Sequence, residues 1–332
     1  IGGGTTDVVI YLDDKPQVLT SFRFAANAIF GDGYNSNYKK NGFVQRFSTK
    51  IESLLEDNKP ILDVFHQIVE RNKSEDIIAF FFSLENNKEL LGDQVFIKFN
   101  EMLKADRELK PVILLFYSSI IYHIGQLMKA KGLDAPRYVI FSGTGSKILN
   151  TIDVSKDNSL LNDLTTRLMS KSMKQDVDDI NISLVDNPKE VTCKGGLFIE
   201  PNESVDISNI NNVLLHGESV SNNESPINYN DINEDFKISV IEELNDFIET
   251  FKEVNNEMKF KDTFGISDSD FNQVEHIILK DSKEYLNLGL QKKMKSFGKE
   301  DEQIDEPLFF YPLVQGINNL AYSIHNSKVE SE

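Results

Sequence analysis

Apolar and polar residues alternate near the start of the chain, and apolar residues recur at helical spacing over most of the rest. After a glycine-rich turn at 2–7, residues 8–12 form a first apolar run and residues 18–24 a second. With Asp13, Asp14, Lys15 and Pro16 between them, the two runs predict a β-hairpin. The period turns helical from about Phe43 to Lys131. Positions 44, 47, 51, 54 and 55 fall on one helix face. Pro111 opens the last of these helices and Lys129, Lys131 and Gly132 close it. Its first half is apolar nearly all round, which predicts burial against a sheet. Residues 137–142 predict a third strand, running into a glycine turn and a helix from about Ser146. Residues 155–174 are largely polar and read as a surface helix or insertion. Residues 180–185 read as a short strand, followed by Pro188 and a brief helix up to Lys194, Gly195 and Gly196.

Composition changes over 201–235, where Asn, Ser, Glu and Asp dominate around one apolar island at 213–215. That stretch reads as a polar linker or mobile loop. Beyond it, Val240, Ile241, Leu244, Phe247, Ile248 and Phe251 form one stripe of an amphipathic helix over 236–254. Further helices are predicted over 268–297 and from near Pro312. The chain thus divides into an α/β part at 1–200, the linker at 201–235 and a mostly helical region at 236–332, with no internal repeat.

Hydrophobic residues make up 40% of the 332, enough to build a sizeable core. A net charge of −18 repels nucleic-acid phosphates and anionic membranes, so neither is expected as a partner. The single cysteine, Cys193, excludes an intrachain disulfide and a cysteine metal cluster; it is read as structural and suits a reducing, cytoplasmic setting. Histidines 66, 123, 216, 276 and 325 show no metal-ligand spacing, and no metal site is expected from them. No apolar run is expected to reach the ~18 residues of a membrane span; 77–84 and 112–121 read as buried segments. The chain opens at Ile1 without a methionine, which suggests a missing N-terminal portion.

The residues richest in chemistry come first. In Ile1-Gly2-Gly3-Gly4-Thr5-Thr6-Asp7, three glycines let backbone N–H groups curl toward an anion with no Cβ in the way, and Thr5 and Thr6 add hydroxyl donors. The alternative is a plain hairpin turn. Gly31, Asp32 and Gly33 form a second glycine turn, after the second strand. Gly143, Thr144, Gly145 and Ser146 form a third, where a strand opens into a helix. Lys147 beside it reads as a solvated side chain.

In that order, the three segments resemble the phosphate and adenosine motifs of the actin, 70-kDa heat-shock chaperone and cell-division FtsA superfamily. Residues 187–197 resemble that family's closing segment. The resemblance covers residues 1–197 and lacks the aspartate that would precede Ile1. It implies an α/β fold, a ribonuclease H-like actin-type lobe with a mixed five-stranded sheet flanked by helices, plus an additional mostly helical C-terminal region. By that likeness Gly2, Gly3, Gly4, Thr5 and Thr6 would hold the phosphates of ATP or ADP with Mg²⁺. Gly143, Thr144, Gly145 and Ser146 would border the adenosine, with Gly31 and Asp32 near the ribose. The other half of the cleft, and the catalytic residues, would belong to a missing N-terminal lobe. The parent would be an ATPase and this chain alone inert. Two alternatives stay open: a non-enzymatic scaffold that binds protein partners through its C-terminal helices, and a sugar or acetate kinase of the same superfamily.

Overall fold

The computed structural model describes residues 1–13, 15–34, 37–86, 97–153, 155, 157–185, 228–297 and 304–329. Strands β1 (Thr6–Leu12) and β2 (Lys15–Phe22) form the expected antiparallel hairpin, paired from Thr6↔Phe22 to Leu12↔Lys15 with an irregularity between Ile10 and Tyr11. Alternation sends Ile10, Val18 and Phe22 into the core and leaves Val9 and Tyr11 exposed. Among the described residues six α-helices follow: α1 (Ala26–Phe30), α2 (Gly42–Leu55), α3 (Lys59–Glu70), α4 (Ser74–Asn86), α5 (Phe99–Ala105) and α6 (Lys110–Ala130). Their starts are chemically marked. Asn41 caps α2 by accepting from the Val44 amide, and Asn58 caps α3 by accepting from the Ile61 amide.

Next come β3 (Tyr138–Phe141), a 3₁₀ segment (Thr144–Thr151), α7 (Ser159–Met173) and β4 (Asn181–Leu184), with β3 and β4 paired in parallel. The C-terminal part contains α8 (Glu234–Glu257), α9 (Phe260–Phe264), α10 (Asp268–Lys280), α11 (Ser282–Phe297) and α12 (Phe310–Val329). One contiguous apolar cluster runs from Ile10 to Ile324, so α12 shares a core with the hairpin. Phe310 stacks on Phe22 at 4.4 Å and on Phe24 at 4.6 Å.

The ribonuclease H-like actin-type lobe with a mixed five-stranded sheet is overturned. Among the described residues there are four strands in two separate pairs, and helices form most of the rest. Among the described residues of the long stretch between β2 and β3, no strand returns to the hairpin, because their apolar period is helical. Its most apolar member, α6, lies mainly among α1, α7, α8, α10 and α12, and it also meets both strand pairs, through His123 against Phe22 of β2 and Tyr117 against Phe141 of β3. The polar-looking α7 is not a surface appendage. Leu161, Leu164 and Leu168 are buried, and its Thr165 hydroxyl meets the buried Tyr117 hydroxyl of α6 at 2.5 Å. Helix α6 is long and apolar enough to cross a membrane by length and composition, and 94% of that window is buried inside the protein. The segment at 187–197 with Cys193, the island at 213–215, His216 and most of the linker at 201–235 lie outside the described residues.

Within α6, His123 has no exposed surface. It stacks on Phe309 at 5.9 Å and meets Phe310 edge-on at 4.9 Å. Neither ring nitrogen has a hydrogen-bond partner among the described residues, and burial pushes its pKa down to about 3. The unfolded chain therefore binds the extra proton between about pH 6.5 and 3 while the folded chain does not. Stability from the neutral ring is complete above that window and falls by about 1.4 kcal/mol per pH unit inside it. His123→Leu should raise stability at neutral pH by about 1–3 kcal/mol and flatten the acid limb. Denaturant titrations at neutral pH and near pH 5 check this; parallel pH slopes in the two proteins would contradict it.

Candidate functional site

The first residues turn tightly, with the Gly2 amide donating to the Thr5 carbonyl at 2.9 Å. The Gly2 and Gly3 carbonyls accept from the Ala26 and Asn27 amides at 3.2 and 2.7 Å, so this loop caps α1 with its carbonyls. The Ile1 amino group donates to the Ser142 carbonyl at 2.6 Å, and the Gly145 amide donates to the Ile1 carbonyl at 3.1 Å. The first and third glycine motifs therefore meet, but directly. Gly143 has φ +95°, and a Cβ on Gly143 or Gly145 would overlap the carbonyl of Ile1 or Gly2. These two glycines make room for backbone.

Two expected hydroxyl donors are already engaged. Thr6 donates to the Phe24 carbonyl at 2.6 Å and Ser146 to the Gly143 carbonyl at 2.7 Å, whereas Thr5 and Thr144 are exposed. The Asp32 carboxylate accepts from the Ser74 amide at 3.1 Å and from the Ser74 hydroxyl, which fixes the start of α4. Gly31 passes so close to the Asn27 carbonyl that a Cβ would sit 2.5 Å from it.

Gly4, Gly31 and Asp32 open into one cleft of about 310 Å³; Gly2, Gly3, Thr5, Thr6 and residues 143–146 are not in its lining. Ala28, Pro307, Phe310 and Val314 supply apolar walls, while Arg23, Lys292, Lys293, Glu75 and Glu306 supply charge. Lys292 is exposed; its Nζ donates to the Gly33 carbonyl at 3.0 Å and lies 5.6 Å from the Tyr34 ring centroid. The exposed Arg23 guanidinium has no partner among the described residues, although its backbone amide donates to Glu306 Oε2 at 3.2 Å.

Lys293, Glu306 and Tyr311 in the cleft lining belong to a polar network that is buried except at the exposed Asp305. Lys293 Nζ contacts Glu306 Oε1 and Asp305 Oδ1, each at 2.8 Å, and the Lys293 and Glu306 side chains are 4% and 6% exposed. The Tyr311 hydroxyl donates to Glu306 at 2.8 Å, and the Tyr229 hydroxyl donates to Asp305 at 2.8 Å. Burial raises the pKa values of Tyr34, Tyr229 and Tyr311, and the Glu306 charge adds to it, so all three stay protonated as donors. Burial also raises Asp305, but hydrogen bonds from Lys293 and Tyr229 outweigh it and hold Asp305 below the usual carboxylate range. On the α11 side, Gly289 allows close approach, since a Cβ there would lie 2.7 Å from the Tyr34 hydroxyl and from Tyr311.

Arg23, Tyr34, Lys292, Lys293, Glu306 and Tyr311 were not singled out by sequence reasoning. One signal was available: Glu306 directly abuts the apolar run of Pro307, Leu308, Phe309 and Phe310. A carboxylate buried beside such a run must find a partner. Among the described residues no three His, Cys, Asp or Glu side chains gather as metal ligands. Comparison with family models, with curated proteins and with solved structures found no match. With the fold, this removes the actin, heat-shock chaperone and FtsA resemblance as a basis for assigning the chain.

Proposed function

We propose that the cleft binds a nucleotide-sized, phosphate-bearing ligand. The observation that carries this reading is the convergence of two glycine turns, at Gly4 and at Gly31 and Gly33, on a cavity flanked by the exposed cations Arg23 and Lys292. The cations suit phosphate oxygens, and the glycines bring backbone close without side-chain bulk. Phe310 and Val314 offer an apolar wall for the rest of the ligand. Lys293 is already neutralised by Glu306 and Asp305, so the flanking cations are what remains to meet an anion. Phosphoryl transfer needs charge stabilisation from several sides, and with Lys293 held by Glu306 and Asp305 the cleft offers Arg23 and Lys292 for it, so the reading is binding without appreciable turnover.

Calorimetric titration with ADP and ATP, with and without Mg²⁺, tests it. The expected dissociation constants lie between about 1 μM and 1 mM. Arg23→Ala should weaken binding about tenfold, by loss of one charge-assisted contact. An affinity unchanged by both Arg23→Ala and Lys292→Ala, or no heat up to about 5 mM ligand, overturns the reading.

A further inference from the structure

The cleft has two ends of different chemistry, set apart by α1, which at five residues is about 7.5 Å long. At the first end, Thr6 pairs with Phe22 and its hydroxyl bonds the Phe24 carbonyl, which places Arg23 beside the Gly4 turn. At the second, Asp32 holds the Ser74 amide and hydroxyl and so brings Glu75 of α4 into the lining. Lys292 stands on the same turn, through its bond to the Gly33 carbonyl. We propose that the ligand of this cleft is a guanine nucleotide, its base read at the second end by the Glu75 carboxylate. The inference rests on the reading of the cleft as a nucleotide site and adds the base to it.

Three acids line the cleft, and two of them are committed. Asp32 is bound to Ser74, and Glu306 to Lys293, the Tyr311 hydroxyl and the Arg23 amide. Glu75 is half-buried, and among the described residues its carboxylate takes neither a hydrogen bond nor an ion pair. Acid is common at a helix start, where the macrodipole favours it, and Asp76 in the same turn is of that kind. Glu75 differs from Asp76 in lining the cleft. A free carboxylate repels phosphate, so the phosphates belong at the first end with Arg23. What Glu75 meets must then carry N–H or O–H donors.

Base chemistry selects guanine. Its pairing edge offers a carboxylate two adjacent donors, N1–H and the N2 amino group, which match the two carboxylate oxygens. Adenine offers one amino group beside a bare ring nitrogen, whose lone pair a carboxylate repels. Uracil offers a single N–H between two carbonyls, and cytosine a single amino group. Lys292 adds to the preference. One of its three N–H groups is on the Gly33 carbonyl, and another suits O6 of guanine as well as it suits a phosphate oxygen. At that position adenine would present an amino group, donor against donor. The apolar wall of Ala28, Phe310 and Val314 can cover the face of a flat base.

Calorimetric titration of the whole chain with GDP, ADP and inosine diphosphate tests this. GDP should bind about tenfold or more tightly than ADP, the worth of one bidentate base contact. Inosine diphosphate keeps N1–H and O6 but lacks the N2 amino group, so its affinity should fall between the two. Glu75→Gln should weaken GDP binding about tenfold and leave ADP within about twofold, which removes the preference. The inosine comparison uses the unsubstituted protein and keeps the test decisive if Glu75→Gln misfolds. Equal affinities for GDP and ADP, or for GDP and inosine diphosphate, overturn the guanine assignment and leave the nucleotide reading standing. No binding of any of the three up to about 5 mM overturns both. Equal losses of GDP and ADP affinity in Glu75→Gln would give the carboxylate a structural or ribose-binding role, and that too overturns the assignment.

Discussion

Lys293→Met should destabilise the protein by about 3–5 kcal/mol, the loss seen when one member of a buried ion pair is removed. The methionine can fill the stem's volume, so the expected loss is electrostatic. Among the described residues, it leaves the Glu306 carboxylate, 6% exposed, with the Tyr311 hydroxyl and the Arg23 amide to stabilise its charge. Adding Glu306→Gln to Lys293→Met should recover part of the loss, because a neutral amide needs no counter-charge. Urea unfolding of the single and double variants measures the coupling. Additive losses would mean that Lys293 and Glu306 contribute separately. The same variants bear on the cleft, since Glu306 holds the backbone of Arg23.

A single methyl group at Gly42 should have a comparable effect. Gly42 opens α2, and its Cα faces the backbone of Ala321 in α12; a Cβ there would overlap the Ala321 carbonyl. A flexible side chain can move aside, but a helix backbone moves only as a body. Gly42→Ala is therefore expected at the upper end of overpacking costs, about 3 kcal/mol. The neighbouring Asn41 adds to the constraint. It accepts from the Val44 amide and donates to the Phe30 and Gly31 carbonyls, which ties the start of α2 to the end of α1. A loss below about 1 kcal/mol in chemical unfolding would show that α2 and α12 can separate at little cost.

Local features were legible in the residue pattern. The β1–β2 hairpin, the face of α2, the proline-opened α6 and the short strands β3 and β4 all follow from short-range periods and turn residues. What the pattern did not carry was which strands pair, because sheet continuity depends on contacts between distant segments. The glycine motifs show the second limit. Glycine at 143 and 145 reports that a Cβ has no room, but not what takes the room; here it is the backbone of Ile1 and Gly2. Helix α7 shows a third. Its mean polarity suggested the surface, whereas the spacing of Leu161, Leu164 and Leu168 already described a buried face. The Lys293 pair was hidden for another reason, since a charge pattern alone does not reveal which lysine is enclosed.

The stacking of Phe310 on Phe22 and Phe24 has a consequence during synthesis on the ribosome. The Asn318 side chain donates to the Ala28 carbonyl across 290 residues of chain, so the hairpin and α1 are closed by a helix that emerges long after them. At typical elongation rates α12 follows them by roughly 15–60 s. Through that interval two phenylalanine rings of the nascent chain lack their partner. A polypeptide stalled before α12 would present them to quality-control factors, so premature termination should be read out as degradation rather than as a shorter folded protein.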